Sequence, residues 1–169
     1  MNCIRIPSAL ASQIREDLRR PHHLAWERIG FLFTRHAANA GSSVILASNY
    51  VPVPDAEYLP TLNSAIGARF GSKPIRDAMQ RILDTKEGVF HVHEHPPGHL
   101  TPSPTDLRSL SELLPAFHTV GPALSHGALI LDERTIAGYL WSQREGTLNA
   151  IDVTVVGLPM LFHGAQRNE

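Results

Sequence analysis

The chain has one cysteine, no excess of charge of one sign and no long apolar run. The single thiol, Cys3, cannot form an internal disulfide, which is consistent with a reducing compartment. A formal net charge of −1 provides no basic footprint, so nucleic acid is not an expected partner. No apolar run approaches the length of a transmembrane helix, and the N-terminus lacks the long apolar stretch of a signal peptide. We therefore expect a cytoplasmic protein with no membrane partner.

What the chain does contain is an ordinary globular composition with an unusual number of histidines. Its 169 residues, 43% of them hydrophobic, fit one domain with a full core. We expect that single domain to span residues 1–169, with residues 164–169 as a flexible tail. Of the ten histidines, four lie in the short segment from His91 to His99. A functional site is predicted in that segment.

Hydrophobic periodicity predicts an α/β protein with mostly antiparallel strand pairing. Ser8 is expected to cap the first helix, Gly88 to end the second, and Ser103 to start the third. The loop between residues 52 and 72 contains two glycines and indicates no long regular element. The predicted strands cover residues 2–6, 26–35, 43–52, 89–95, 127–132, 135–142 and 150–157, and the predicted helices cover 9–20, 74–86 and 104–117.

The segment from His93 to Asp106, HEHPPGHLTPSPTD, has the residue types of a metal site. Side chains alternate faces along a strand, so His93 and His95 would point the same way and Glu94 the opposite way. Two imidazole nitrogens and a carboxylate oxygen suit zinc, and three protein ligands leave a fourth position for water, as in catalytic sites. His91 shares the same strand face, so His91 with His93 is an alternative ligand pair.

Ser103, Pro104 and Asp106 also form a helix-capping sequence. A serine at the N-cap, a proline at N1 and an acid at N3 are favoured at a helix start, where the macrodipole also favours an acid. The two interpretations are compatible, because the start of a helix can hold Asp106 as a third ligand while Ser103 faces the site. His99, in the loop between, is expected to be solvated.

The pattern His-x-His-Pro followed by Ser-x-x-Asp, with a glutamate upstream, resembles the JAMM motif of the JAB1/MPN/Mov34 metalloprotease family. The upstream match is Glu27, which precedes Gly30 and an apolar run. The residues around Glu27 alone favour a solvent-facing glutamate at a strand start, paired with an arginine. The spacing of the two histidines, the serine and the aspartate is the specific part of the resemblance. Glu94 departs from the family, in which serine or threonine is usual there.

The resemblance implies a single JAB/MPN-like α/β domain, in which a curved, mostly antiparallel sheet is flanked by helices. It also implies a Zn²⁺ ion held by His93, His95 and Asp106, with Glu27 as general base and Ser103 stabilising the oxyanion. The implied activity is that of a zinc metalloprotease. It would be a deubiquitinase-like isopeptidase or peptidase that cleaves after the C-terminus of a ubiquitin-like protein.

The implied partners are a ubiquitin-like protein or its conjugates, with E1-like and E2-like pathway proteins as further candidates. The short connection between Asp106 and Gly127 resembles compact prokaryotic JAB proteins, including those of bacterial ubiquitin-like conjugation and antiviral defence pathways. Two alternatives stay open: a JAB-type amidohydrolase acting on a small peptide or sulfur-carrier adduct, and a non-catalytic MPN scaffold. A cytidine-deaminase-like zinc site is excluded, because its pair of cysteine ligands needs more than one cysteine.

Overall fold

The computed structural model describes residues 2–39, 42–60, 67–157 and 160–164. Within these ranges the chain forms eight strands and three α-helices, with a single 3-10 turn at Asp55–Glu57. In chain order the elements are β1 (Asn2–Pro7), α1 (Ser8–Leu18), β2 (Ile29–Asn39), β3 (Ser42–Pro52), α2 (Ser72–Thr85), β4 (Gly88–Glu94), α3 (Pro104–Val120), β5 (Gly127–Leu131), β6 (Ile136–Ser142), β7 (Thr147–Val156) and β8 (Leu161–His163).

The first strand closes the sheet into a barrel. β1 pairs in parallel with β3 on one side and in parallel with β7 on the other. The ring therefore runs β1-β3-β2-β4-β5-β6-β7 and returns to β1, and β8 adds to the side of β7. β4 and β5 are also parallel, whereas the remaining neighbours are antiparallel, so the sheet is mixed.

The expected JAB/MPN-like fold, a curved and mostly antiparallel sheet flanked by helices, is therefore wrong. An open sheet ends in two edge strands, whereas here β1 joins both ends of the sheet and makes it a closed ring of seven strands. The cause of the error is physical. A strand's sequence shows which of its side chains are buried, but a six-residue strand does not show that it has partners on both sides.

Two apolar clusters cover the two faces of the barrel wall. One cluster draws on all seven strands of the ring and on α1, so it is the barrel interior. The other joins side chains of β2, β4, β5 and β6 to α2 and α3, so it lies on the outside. Along β4, Phe90 and Val92 belong to the interior and Val89 to the outer cluster. Strand alternation consequently places His91 and His93 on the outer face, on the side of α2 and α3.

The helix boundaries follow the sequence signals in part. α3 starts directly after Ser103, as predicted. α1 begins one residue earlier than expected, with Pro7 rather than Ser8 in the N-cap position. α2 ends before Lys86, which adopts the left-handed conformation at φ 55°, and Gly88 is already the first residue of β4. A lysine thus makes the turn that the glycine was expected to make.

A buried histidine connects the end of α3 with the start of β4. His126 is only 2% exposed. Its Nε2 donates to the carbonyl of Gly121 at 3.0 Å, and its Nδ1 accepts from the backbone N–H of Val89 at 3.3 Å. This pair of bonds requires the neutral ring. Burial accordingly lowers the pKa of His126.

The structure tests the membrane and tail predictions only in part. None of the helices described is long and apolar enough to cross a bilayer. Of the expected flexible tail at 164–169, only Gly164 belongs to the described residues, and the others lie outside them.

Candidate metal centre

The two histidines of the motif meet at the carboxyl end of β4. His93 is 1% exposed and pairs with Ile29 of β2 on one side and Ile130 of β5 on the other. His95 follows the last strand residue, and its backbone N–H donates to the carbonyl of Leu131 at 2.8 Å. The Nε2 atoms of His93 and His95 are 3.0 Å apart. The strand therefore presents both ring nitrogens to one point, as alternation predicts.

Asp106 reaches the same point from the first turn of α3. The Oγ of Ser103 accepts from the N–H of Asp106 at 3.1 Å, and the Asp106 carboxylate accepts from the N–H of Ser103 at 2.7 Å. This is a complete capping box, so the capping interpretation is confirmed. The same carboxylate lies 3.4 Å from Nε2 of His93 and 3.1 Å from Nε2 of His95, one oxygen facing each ring. Capping and proximity to the histidines thus occur together.

Glu27 approaches the histidines from a loop, not from a strand. β2 begins at Ile29, so the expected strand start at residue 26 was wrong. The N–H groups of Trp26 and Glu27 both donate to the carbonyl of Gly67, at 2.8 and 3.3 Å. A ligand atom of Glu27 lies within 4.8 Å of one from each of His93 and His95. Loop contacts with Gly67, together with the pairing of β2 and β4, bring this glutamate to the site.

The donor atoms have the spacing that a metal ion would require. In a tetrahedral zinc site with bonds of about 2.0 Å, neighbouring ligand atoms are about 3.3 Å apart. The separations of 3.0, 3.4 and 3.1 Å among His93, His95 and Asp106 match that value. Glu27, His93 and His95 form a cluster that could hold a metal ion. Two imidazole nitrogens with carboxylate oxygens are donors that suit zinc, among other divalent metals.

Contacts behind the ligand atoms fix the ring of His95. Its Nδ1 lies 2.7 Å from the carbonyl oxygen of His99, an acceptor that keeps a proton on Nδ1, so Nε2 is the nitrogen that would bind a cation after losing its own proton. The loop that carries this carbonyl is itself held, because the N–H of Gly98 donates to Asp132 at 3.2 Å. Nδ1 of His93, by contrast, is buried without a hydrogen-bond partner among the described residues.

The side chains of the cluster shift one another's pKa values. Burial raises the pKa of Glu27, with His93 opposing this effect and Asp106 adding to it. The hydrogen bond to Asp106 raises the pKa of His95. Burial alone would raise the pKa of Asp106, but hydrogen bonds from His93 and His95 outweigh it and hold that pKa far below its usual value. A glutamate that binds a proton more readily than usual therefore faces an aspartate that stays ionised.

His91, the alternative ligand, lies beside the cluster but not in it. Its ring is 5.2 Å from that of His93 and forms an edge contact with Phe31. Burial lowers the pKa of His91 to about 3, which keeps the ring neutral. Its Nδ1 has no hydrogen-bond partner among the described residues. The geometry thus favours His93 with His95 over His91 with His93 as the pair that converges.

The remaining candidates of the motif fall where strand and loop positions predict. Glu94 points away from the cluster and pairs with Arg19 at 3.4 Å. The side chain of His99 is exposed, and only its backbone carbonyl contacts the site. The roles of Gly67 and Asp132 were not predicted, because their contacts form only once the loops around them have folded.

A cavity of about 570 Å³ opens from the cluster towards α2 and α3. Glu27, His93, Ser103 and Asp106 line one part of it. Pockets of this size accommodate small molecules or single substrate groups. The hydroxyl hydrogen of Ser103 has no acceptor among the described residues, so this group can donate into the cavity.

No model of a known protein family matches the chain, and no curated protein matches it closely enough to count as a relative.

Proposed function

We propose that this chain is a zinc-dependent amide hydrolase that cleaves after the C-terminus of a ubiquitin-like protein. The observation that carries the proposal is the convergence of four motif side chains, Glu27, His93, His95 and Asp106, beside an open cavity. Three of these side chains lie in one short segment, and Glu27 joins them from a distant part of the chain. The choice of substrate rests on the resemblance of their spacing to the JAMM motif.

His93, His95 and Asp106 would hold the ion, in keeping with their mutual spacing. When bound, zinc supplies a Lewis acid and lowers the pKa of a water molecule at the site. The hydrogen bonds from His93 and His95 hold the pKa of Asp106 below its usual value, which suits an anionic ligand. The contact of His95 with the His99 carbonyl fixes the tautomer in which Nε2 can bind a cation.

Glu27 would move the proton. Burial raises its pKa towards the range in which a carboxylate can take a proton from water and return it to a departing amine. Ser103 would donate its hydroxyl hydrogen to the carbonyl oxygen as negative charge develops there. Its Oγ is held by the N–H of Asp106, so the donor is already oriented before substrate arrives. Both residues line the cavity.

Metal analysis tests the first part of the proposal. Wild-type protein should carry about one zinc ion per chain, because three protein ligands form one site. His95→Ala should lose it. His99→Ala is the matched control and should retain zinc, because the His99 side chain is exposed and alanine keeps the carbonyl that contacts His95. Zinc retained in His95→Ala would refute this ligand set, and zinc lost only in His91→Ala would favour the alternative pair.

Cleavage of a ubiquitin-like modifier fused through its terminal residue to a reporter tests the second part. Release should require zinc and disappear in His95→Ala. Glu27→Gln should retain zinc but lose activity by about a hundredfold to ten-thousandfold, the range of general acid–base catalysis. Zinc-loaded protein that ignores such fusions but cleaves a small amide would identify a small-substrate amidohydrolase instead. Zinc-loaded protein that cleaves neither would favour a non-catalytic scaffold.

A further inference from the structure

The floor of the cavity carries a buried histidine that the metal cluster does not use. Besides the cluster, five polar or charged side chains line the cavity: Arg69, His91, Thr105, Ser109 and Glu112. Arg69, Ser109 and Glu112 are exposed, Thr105 is half-buried, and His91 is only 8% exposed. The exposed side chains therefore belong to the rim of the cavity, and His91 belongs to its floor.

Neither ring nitrogen of His91 has a hydrogen-bond partner among the described residues. Nδ1 is fully buried, whereas Nε2 is not, so Nε2 is the nitrogen that reaches the cavity. The ring packs against the rings of Phe31 and His93, with centroids 6.2 and 5.2 Å away. A buried polar group without a partner costs free energy of folding. The stability of the fold therefore does not explain why an imidazole, rather than an apolar ring, occupies this position.

We infer that the floor of the cavity binds an uncharged amide group of the substrate, with Nε2 of His91 as its hydrogen-bond partner. A neutral imidazole has one nitrogen that donates and one that accepts. An amide offers both a carbonyl oxygen and an N–H group, so it can pair with Nε2 in either tautomer. The inference deepens the proposed function and rests on it for the zinc ion. Main-chain amides of a bound peptide are groups of this class.

Charge at the cavity favours an uncharged ligand group. The carboxylates of Glu27, Asp106 and Glu112 line it, and Arg69 supplies the single guanidinium among the described lining residues. A bound zinc ion would balance this difference, so no net charge would remain to attract an ionic group. An ion placed beside the neutral ring of His91 would also lose hydration without gaining an opposite charge there.

The distance from the cluster to His91 suits neighbouring groups of one peptide. His91 and His93 are two positions apart on β4, and their ring centroids are 5.2 Å apart. An extended peptide advances about 3.3 Å per residue, so an amide one or two residues from a metal-bound group can reach His91. A cavity of about 570 Å³ has room for such a segment.

Two hydroxamates test the inference, because both carry the same zinc-binding group. N-acetylglycine hydroxamate has one amide beyond that group, and pentanohydroxamate has a hydrocarbon chain of equal length. Their affinities for zinc-loaded full-length protein are measured by calorimetry. The ratio of the two affinities should shift against the amide by about tenfold in His91→Phe, the usual effect of losing one hydrogen bond. An equal ratio in wild type and His91→Phe would overturn the inference while leaving the metal site intact.

His118→Phe is the matched control, since it makes the same change on α3 outside the cavity lining and should keep the wild-type ratio. His91→Phe should retain zinc and should not lower the melting temperature, because it removes an unpaired buried group and keeps a ring. Loss of zinc from folded His91→Phe would make His91 a metal ligand and would overturn the inference.

NMR of wild-type protein with ¹⁵N-labelled histidine supplies a measurement that needs no variant. The Nε2 signal of His91 should shift on binding N-acetylglycine hydroxamate and not on binding pentanohydroxamate. Equal shifts with both compounds, or none with either, would contradict the hydrogen bond.

If neither hydroxamate binds, the metal proposal has failed, and the floor is then tested without a chelator. N-acetylglycinamide should shift the Nε2 signal of His91 to a saturating value in the protein as purified. Absence of that shift would overturn the inference independently of the metal.

Discussion

Substitution of Gly67 by alanine should displace the Glu27 side chain and leave the other side chains of the site in place. Gly67 holds the loop by accepting from the N–H groups of Trp26 and Glu27, and alanine retains that carbonyl. A Cβ at position 67, however, would overlap the side chain of Glu27 at its Oε1, Cδ and Cγ. The steric conflict therefore affects the side chain of Glu27, the proposed base, and not the side chains that would bind the metal.

The magnitude follows from how far the carboxylate must move. To reach ordinary van der Waals contact with the new methyl group, Oε1 must retreat by about 2 Å. A misplacement of about 1 Å in a catalytic group can already cost about a hundredfold in rate. We therefore expect kcat/KM of Gly67→Ala to fall by at least about a hundredfold, which is about 2.7 kcal/mol of transition-state stabilisation. Stability should change little, because the end of a flexible side chain can move aside.

The assay is reporter release from the modifier fusion, combined with zinc content and thermal unfolding of the same samples. In the Glu27→Gln background, Gly67→Ala should have little further effect, because both changes disable one group. Full activity of Gly67→Ala would refute the assignment of Glu27 as base. Gly30→Ala is a steric control of the opposite kind, since its Cβ would overlap the buried ring of Tyr50. That variant should lose about 1–3 kcal/mol of stability through overpacking.

Two further substitutions test the surroundings of the site, and a third tests the buried histidine His126. Asp132→Asn should weaken zinc affinity about tenfold to a hundredfold in chelator competition, because Asp132 holds Gly98 in the loop that orients His95, and unchanged affinity would contradict this role. Ser103→Ala should cost about 1 kcal/mol in denaturant unfolding through loss of the helix cap and should also lower kcat, whereas a loss of stability alone would leave Ser103 without a catalytic role. His126 has a lowered pKa in the folded state, so the unfolded chain binds its proton first and stability falls as pH drops below about 6.5. His126→Gln should reduce that loss by at most about 1.4 kcal/mol per pH unit, measured by urea unfolding between pH 7.5 and 5, and an unchanged slope would contradict the buried neutral ring.

The local elements were predictable, because each has a signal within a few residues. The capping residue Ser103 and the proline that follows it determine where α3 begins. Short apolar runs located β3, β5 and β6 within one position of their observed bounds. Closure of the barrel was not predictable in this way. It depends on β1 meeting β3 and β7, which are separated from one another by most of the chain.

The site was predictable to the extent that its residues are close in sequence. His93, His95, Ser103 and Asp106 occupy one segment, and a strand end followed by a helix start limits how they can be arranged. Glu27 could be nominated only through the resemblance, because it lies 66 positions before His93. Gly67 and Asp132 carried no signal, since their contacts exist only once the loops have folded.

The convergence of the motif side chains and the closure of the barrel involve different strands. The cluster needs β4 to end at the histidines, α3 to start at Ser103, and β2 to lie beside β4 so that Glu27 arrives next to His93. β1 pairs with β3 and β7, and none of those three strands contributes a donor atom to the cluster. The error in the expected fold therefore concerns strands outside the cluster, and the decisive measurement for the metal proposal is the zinc content of His95→Ala against His99→Ala.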